Sequence, residues 1–386
     1  RMRLMLVGFV AGIVLGGGRA KADFTFGEPT NMGPPFSTPY DDSPPIISGD
    51  GLEMYHCYYN RPGGYGGWDI WVSTRQTLND DWSDPVNLGS PVNTSQADTL
   101  SYLSSDGLKL YFNSYNRSGG CGGWDAWVTR RPTKADAWEK PVNLGSTVNS
   151  PAGDGCPCIS SDGLELYISS DRPGGYGDWD IWVSRRATKS DPWEEPVNLG
   201  PVVNSSADED IIYLSSDSLM LFFSEDLGGR IRPGGVGNMD IWAIRRRTVS
   251  DPWGTPFNLG PMVNSPSRDG IPIISPDGST LYFSSTRPGG LGGSNFGDVY
   301  QSPILPIVDF NGDRIVDAED MCIMVEHWGE DYSLCDIGPM PWGDGVVDVQ
   351  DLVVLSEHLF EEVEDPTLLA HWPLDETEGM FAADSV

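Results

Sequence analysis

The sequence is poor in basic residues and in histidine. Its 386 residues include 24 lysines and arginines against 56 aspartates and glutamates, for a formal net charge of −32, and only four histidines. A polyanion of this size repels nucleic acid, and no run of basic residues offsets the repulsion. The composition therefore excludes nucleic acid as a partner and favours cations, calcium first, although solubility alone accounts for most of the acidity.

Long hydrophobic runs are almost missing. The one present, "LMLVGFVAGIVLGGG", follows two arginines near the start, and a small-x-small tripeptide ends at Ala22. This layout predicts a signal peptide over residues 1–22, with an uncleaved anchor as the alternative. The run is too short and glycine-rich for a comfortable membrane span, and no other candidate follows. We therefore expect a mature chain that is secreted, periplasmic or attached to the cell surface.

Cysteines are few, and six of them permit disulfides without forming a dense framework. Cys322 and Cys335 bracket a short loop and are the best candidate pair. Cys156 and Cys158 stand two apart on one face of a predicted strand, which is poor disulfide geometry.

What the sequence does contain is a repeat. The stretch "DRPGGYGDWDIWVSRR" (171–186) has relatives elsewhere, and the pattern occurs five times. Successive motif arginines are separated by 56, 55, 60 and 55 residues. These arginines are Arg61, Arg117, Arg172, Arg232 and Arg287. A period of roughly 40 to 60 residues with glycine and aromatic signatures indicates a repeat architecture.

Each repeat predicts four short antiparallel strands. In the third copy the first, at 155–163, is a short apolar run that ends in a turn signal, and the second, at 164–172, alternates apolar and polar residues. The other two fall at 179–186, which is rich in β-forming residues, and at 197–200. No copy shows a helical pattern, so the unit is typical of a propeller blade. The fifth copy lacks its last strand, and "FGEPTNMGPP" (26–35) aligns with that missing piece. The sequence therefore predicts an all-β five-bladed β-propeller that its own N-terminal segment closes.

The repeats resemble a known type. The stretch "SPDGSTLYFSSTRPGG" (275–290) and its four relatives are similar to the WD-like repeats of Tol-type periplasmic propellers and of many exported bacterial proteins. The resemblance covers about residues 23–305 and implies the propeller fold. It does not imply a function, because propellers host many unrelated functions.

Fivefold repetition also bears on catalysis. A catalytic site is asymmetric, whereas every copy carries the arginine, the glycine pair and an aspartate. These aspartates are Asp69, Asp125, Asp180, Asp240 and Asp298. We interpret the motif as a structural device, with the arginine bound to loop carbonyls or the aspartate and the tryptophan packed between blades. No catalytic residue is assigned, and His56, the one histidine of the propeller, does not complete a Ser-His-Asp set.

A second carboxylate also recurs, eight residues before each turn aspartate. The set is Asp42, Asp98, Asp154, Glu209 and Asp269. Two hypotheses stay open. The five groups could converge on the channel mouth and attract a cation. Alternatively, each could cap its own turn by accepting backbone hydrogen bonds.

Residues 306–364 predict a second, small α-helical domain. "DFNGDRIVDAED" (309–320) has the spacing of a calcium loop, in which oxygen ligands surround a hard cation. The ligands predicted for this loop are Asp309, Asn311, Asp313, the carbonyl of Ile315, Asp317 and Asp320. "GDGVVDVQD" (343–351) repeats its second half. The ligands predicted there are Asp344, Asp348 and Asp351, with Asp336 upstream.

Two such loop-helix units resemble a dockerin domain. The resemblance implies calcium as cofactor and a cohesin-like or cell-surface protein partner, in an assembly that acts on polysaccharide. Two departures weaken it: Arg314 replaces the expected glycine of the first loop, and the early ligands of the second loop are displaced. Residues 365–386 look like the truncated start of a laminin-G-like or concanavalin-like jelly roll.

Together these features predict an exported, non-enzymatic binding or scaffold protein. The propeller would be its interaction module and the dockerin-like domain its calcium-dependent attachment module. The alternative is a glycoside hydrolase or another glycan-active enzyme component. Hydrolysis needs two carboxylates across a cleft, and near-identical blades offer no unique pair.

Overall fold

The computed structural model describes residues 24–226, 232–292, 296–306, 308–311, 315–330, 335–338 and 346–361. These residues form 21 β-strands and two short α-helices. The strands make five antiparallel sheets, so the predicted five-bladed propeller is confirmed. Neither helix of the described part is long and apolar enough to cross a membrane.

The strands follow one another in blade order. The chain starts with β1 (Phe24–Phe26) and β2 (Thr30–Asn31). The first blade contains β3 (Ile46–Ile47), β4 (Glu53–Tyr59), β5 (Trp68–Thr74) and β6 (Val86–Asn87). The second contains β7 (Asp98–Leu103), β8 (Lys109–Tyr115), β9 (Trp124–Arg130) and β10 (Val142–Asn143).

The remaining blades repeat this order. The third contains β11 (Asp154–Ile159), β12 (Glu165–Ser170), β13 (Asp180–Arg185) and β14 (Val197–Asn198). The fourth contains β15 (Asp208–Leu214), β16 (Met220–Asp226), β17 (Asp240–Arg245) and β18 (Phe257–Asn258). The fifth contains β19 (Asp269–Ile274), β20 (Thr280–Ser285) and β21 (Asp298–Pro306).

The N-terminal segment closes the ring, as predicted. β1 and β2 both pair antiparallel with β21, so they supply the outer strand that the fifth repeat lacks. Phe24 and Phe26 are buried in the cluster between the fourth and fifth blades. Asn31 donates to Asp298 at 2.8 Å, an amide-to-carboxylate bond that Asn198 makes to Asp180 in the third blade.

The core lies between the blades. The second strand of each sheet is buried on both faces, because each face packs against a neighbouring sheet, as in β8, where five consecutive residues are buried. The first strand of each sheet is its inner edge, and this edge accommodates Pro157 and Pro272, which cannot donate to a ladder. The second-to-third strand loops and the links to the next blade share one face of the ring, here called the upper face.

The C-terminal residues form a separate small core around two similar halves. The helices are α1 (Ala318–Glu326) and α2 (Val349–Glu357), each with an aspartate N-cap and a capping box. Met324 and Leu355 are fully buried in this core. Val325 and Trp328 are exposed.

The predicted disulfide is wrong in this structure. Cys335 is buried in the C-terminal core, whereas Cys322 is exposed on α1, and both thiols are free. The position of Cys322 on the helix explains the difference. Met321 and Met324 face the core, whereas Cys322 faces solvent. Cys156 and Cys158 are also free.

Candidate functional site

The motif arginines hold each blade to the link that precedes it. Arg117, for example, contacts Asp98 at 3.3 Å and donates to the carbonyl of Val92 at 2.8 Å. The same ion pair forms in three other blades: Arg172 with Asp154, Arg232 with Glu209, and Arg287 with Asp269. The arginines were predicted to bind loop carbonyls or the motif aspartates, and the carboxylate they contact is the other one, that of the link.

The link carboxylates act as local caps. Asp98 is fully buried and accepts hydrogen bonds from both the backbone nitrogen (2.7 Å) and the hydroxyl (2.8 Å) of Thr94. The residue four positions earlier makes the same two kinds of bond in the other blades: Thr38, Ser150, Ser205 and Ser265. All five carboxylates are buried, so the structure favours turn capping over a shared cation site at the channel.

The motif aspartates shape their own loops. Asp180 accepts the backbone nitrogens of Tyr176 at 2.6 Å and Gly177 at 3.1 Å. Gly174 has φ +103°, and a Cβ on Gly175 would lie 1.7 Å from the Asp180 carboxylate, so both positions require glycine. Arg172 lies over Trp182, with 5.4 Å between the guanidinium carbon and the ring centroid. The motif is structural in these residues, as the repetition predicted.

One tryptophan of the motif has a different role. Trp68, Trp124 and Trp179 are half-buried and line a cavity of about 220 Å³ at the upper end of the central channel. Phe296 of the fifth blade completes the aromatic wall, and its ring centroid lies 5.8 Å from that of Trp68. Tyr59 and Tyr115 extend the aromatic surface outward, at 5.5 Å from Trp68 and 5.2 Å from Trp124.

Small residues leave room for this wall. A Cβ on Gly153 would lie 2.6 Å from the ring of Trp179, so glycine is needed directly before the inner strand of the third blade. The floor of the cavity is apolar and includes Leu100, Ile211 and Ile271. An apolar floor under aromatic walls with a few polar groups is the usual composition of a small-ligand pocket.

The polar part of the wall comes from Asn113 and Asp210. The Asn113 amide oxygen accepts from the Cys156 backbone nitrogen at 2.7 Å and from the Ser101 hydroxyl at 3.0 Å. Asp210 Oδ1 accepts from the Ser169 hydroxyl at 2.6 Å and faces the Cys156 thiol at 3.4 Å. Burial and the nearby Asp210 raise the pKa of that thiol well above its usual range, so it stays neutral.

The channel wall is also strained. The inner strands carry β-bulges, and within them Cys156, Ile211 and Ile271 have φ values of +49°, +50° and +54°. Residues other than glycine rarely adopt this left-handed backbone conformation, and β-branched residues such as isoleucine adopt it least. Side chains of the preceding blade bind two of these bulges: Ile271 donates its backbone nitrogen to the Ser224 hydroxyl at 2.9 Å, and Cys156 donates its own to the Asn113 amide oxygen. Such strain concentrates at binding sites.

Sequence reasoning missed this pocket because it weighed the motif as one unit. The two tryptophan positions of the motif behave differently. The second is aromatic and buried in every blade: Trp71, Trp127, Trp182, Trp242 and Tyr300. The first is tryptophan in only three copies and Met239 in the fourth, and this variation was the available signal. Asp210 was equally visible, since its counterparts carry no charge: Ser43, Thr99, Gly155 and Gly270.

The predicted metal ligands lie in the C-terminal unit. Asp320 is buried and accepts from the backbone nitrogens of Phe310 (2.7 Å), Asn311 (3.2 Å) and Asp317 (2.9 Å). Asp351 accepts equivalent bonds from Ile337 (2.6 Å), Gly338 (2.7 Å) and Asp348 (2.6 Å). By this correspondence, Asp336 has the same position in the second loop as Asp309 has in the first.

Several other predicted ligands are exposed or half-buried. Asn311 and Ile315 are exposed, whereas Asp309, Asp317 and Asp348 are half-buried, and Asp336 is buried. Asp313 and Asp344 lie outside the described residues. Within the part of the chain that is described, no group of three or more His, Cys, Asp or Glu side chains is arranged to hold a metal ion.

Comparison with protein-family models and with curated proteins gives no match. Among solved structures, the chain is similar to an alpha-L-arabinofuranosidase of Podospora anserina solved with cellotriose (13% identity, 73% of this chain and 96% of that chain, TM-score 0.43). It is also similar to an alpha-L-arabinofuranosidase of Lactobacillus brevis (15%, 71% and 92%, 0.45). A third neighbour is a putative TolB of Agrobacterium tumefaciens (14%, 74% and 99%, 0.36). Likeness this distant carries no argument about activity.

Proposed function

We propose that the upper mouth of the channel binds a saccharide. The observation that carries this proposal is the aromatic wall of Trp68, Trp124, Trp179 and Phe296 around one carboxylate and one amide. Sugar rings have apolar C–H faces and a rim of hydroxyls, and aromatic faces with a few fixed polar groups complement both. The distant structural neighbours are not needed for this argument.

The size of the pocket limits what enters it. Its volume of about 220 Å³ is below the roughly 300–1,000 Å³ of pockets that enclose a drug-sized ligand. One sugar unit or the end of a longer chain therefore fits better than a whole oligosaccharide. Tyr59 and Tyr115, which are 40% and 42% exposed, lie next to the wall and offer a surface for further units.

Binding without hydrolysis is the simpler form of this proposal. Within the described residues, Asp210 is the one carboxylate that lines the pocket, and hydrolysis requires a pair. The enzymatic alternative has one observation in its favour. Burial raises the pKa of Asp208, two residues before Asp210, which suits a general acid. Both groups belong to β15, however, and hydrolysis needs groups that flank the bond.

The proposal is tested by measuring affinity for a panel of soluble oligosaccharides through tryptophan fluorescence and calorimetry. Trp179→Ala should lower the affinity for the best ligand by about tenfold or more, because the lost aromatic face removes a stacking contact that contributes roughly 1–3 kcal/mol. Tyr176→Ala is the matched control: Tyr176 is an exposed aromatic residue of the same loop that lies outside the pocket wall. Equal losses in the two variants, or no binding to any saccharide, would overturn the proposal.

The same samples separate binding from hydrolysis. Incubation with each bound oligosaccharide, followed by chromatography of the products, should return the ligand intact. Cleavage that both Asp208→Asn and Asp210→Asn abolish would instead establish the enzymatic alternative.

We also propose a setting for this activity. The chain is exported through the segment 1–22, and residues 306–364 attach it to a protein partner in a calcium-dependent way. The donor set of the first loop suits calcium, since its side chains offer only oxygen ligands. Asp320 uses three of its roughly four lone-pair sites on backbone nitrogens, so one remains for a cation.

A further inference from the structure

The pocket wall is asymmetric in charge. In the second to fifth blades, the residue after the capping carboxylate holds the same register of the inner strand, and among these four positions only the fourth blade has a carboxylate, Asp210. Gly155 and Gly270 occupy the position in the adjacent blades, so no neighbouring side chain crowds Asp210 from that register.

One oxygen of this carboxylate is available to a ligand. Both hydrogen bonds to Asp210, from Ser169 and Cys156, reach Oδ1. Among the described residues, no donor reaches Oδ2, although Asp210 is half-buried and lines the cavity. A partly desolvated carboxylate with one free oxygen gains most from a charged donor, because charge-assisted hydrogen bonds are roughly twice as strong as neutral ones.

The surroundings favour the same donor. Burial raises the pKa of Asp208, and repulsion from Asp178 and Asp210 adds to this, so this side of the mouth is negative. The faces of Trp68, Trp124 and Trp179 attract cations as well as sugar rings. Arg268, in the link between the fourth and fifth blades, has its guanidinium carbon 5.9 Å from the Phe296 centroid, and among the described residues no ion pair joins it to Asp210.

We propose that the saccharide bound in the channel mouth is an amino sugar, whose free ammonium group pairs with Asp210 while its ring lies against the tryptophans. This inference rests on the proposed function and adds the chemical class of the ligand. A neutral sugar would satisfy the stacking surfaces but would leave the carboxylate without a charged partner.

A matched pair of ligands tests the inference. The β-1,4-linked trimers of glucosamine and of N-acetylglucosamine have the same length and linkage. The amino groups of the first are free and can carry a charge, whereas those of the second are acetylated and neutral. At neutral pH, the full chain should bind the glucosamine trimer about tenfold more tightly, since hydrogen bonds to charged groups are stronger than those between neutral groups. Asp210→Asn should remove this preference while retaining the weaker binding. Asp191→Asn, which neutralises an exposed carboxylate on the opposite face, should preserve it.

The outcomes distinguish this inference from the function on which it rests. Equal affinity for the two trimers, or a preference that survives in Asp210→Asn, would overturn the amino-sugar assignment and leave saccharide binding intact. Ethanolamine that competes as well as the glucosamine trimer would show that the site selects a cation without a sugar, and so would also overturn it. Absence of binding to every saccharide would overturn both.

Discussion

Asp42 and Asp98 hold equivalent positions in neighbouring blades but differ in their partners. Asp98 pairs with Arg117, whereas the described residues show no ion pair between Arg61 and Asp42. The difference arises at Tyr58, which stands where the second, third and fifth blades have a serine. The guanidinium carbon of Arg61 lies 4.3 Å from the centroid of the Tyr58 ring. Burial then raises the pKa of Asp42 to about 7.

This pKa gives a pH-dependent stability with a definite sign. Between pH 3.8 and about 7, the folded protein keeps a proton on Asp42 that the unfolded chain has lost, so the free energy of unfolding falls as pH rises through this window. Asp42→Asn should therefore be more stable, relative to the wild type, at about pH 8 than at about pH 5. Urea unfolding at the two pH values measures the difference.

The control is Asp98→Asn. It leaves Arg117 buried without its partner, which costs roughly 3–5 kcal/mol. If Asp42→Asn and Asp98→Asn change with pH in the same way, the unpaired state of Asp42 is not the cause.

At the scale of elements, each loop-helix unit of the C-terminal region is closed by one aspartate. Asp320 and Asp351 tie the start of each loop to the start of its helix through three backbone hydrogen bonds apiece. The second loop reaches from Asp336 to Asp351 and is longer than 309–320. A longer loop costs more entropy to order around an ion.

We therefore predict one tight calcium site, in the first loop. Calorimetry on the full chain should show one strong binding event, which Asp313→Ala abolishes because it removes a carboxylate ligand. Asp336→Ala is the corresponding change in the second loop and should leave that event in place. Two events of equal strength would show that both loops bind.

At the scale of the whole molecule, the ring depends on β1 and β2. They cover the edge of β21, and an uncovered edge strand is a template for association with another chain. A chain that begins at residue 37 should unfold at a lower temperature than one that begins at residue 23, and it should aggregate. An unchanged melting temperature with a monomeric elution profile would contradict this closure.

A point variant tests the same closure without deletion. Phe26→Ala should lower the free energy of unfolding by roughly 3–5 kcal/mol, because Phe26 is buried between two blades. Thr30→Ala, at an exposed position of the same segment, should change it by less than about 0.5 kcal/mol. Denaturant unfolding of both variants provides the comparison.

The sequence by itself determined the number of blades, their strand order and the closing segment. Each of these follows from local spacing, such as the regular steps between Arg61, Arg117 and the later motif arginines. It also determined that the arginine, the glycines and the aspartate of the motif are structural, since five copies of one pattern cannot form one asymmetric site. Only the tertiary structure decided which carboxylate each arginine contacts, because each repeat offers both a motif aspartate and a link carboxylate.

The pocket, too, was decided by the tertiary structure. Trp68, Trp124 and Trp179 are about 55 residues apart from one to the next and meet only because the ring brings equivalent positions to one axis. The position of Asp210 in the pocket wall also depends on the tertiary structure. In the sequence it is one acidic residue among 56, and in the fold it is the carboxylate that breaks the symmetry of the channel mouth. Local patterns specify strands and turns, whereas a site on the axis depends on contacts between blades.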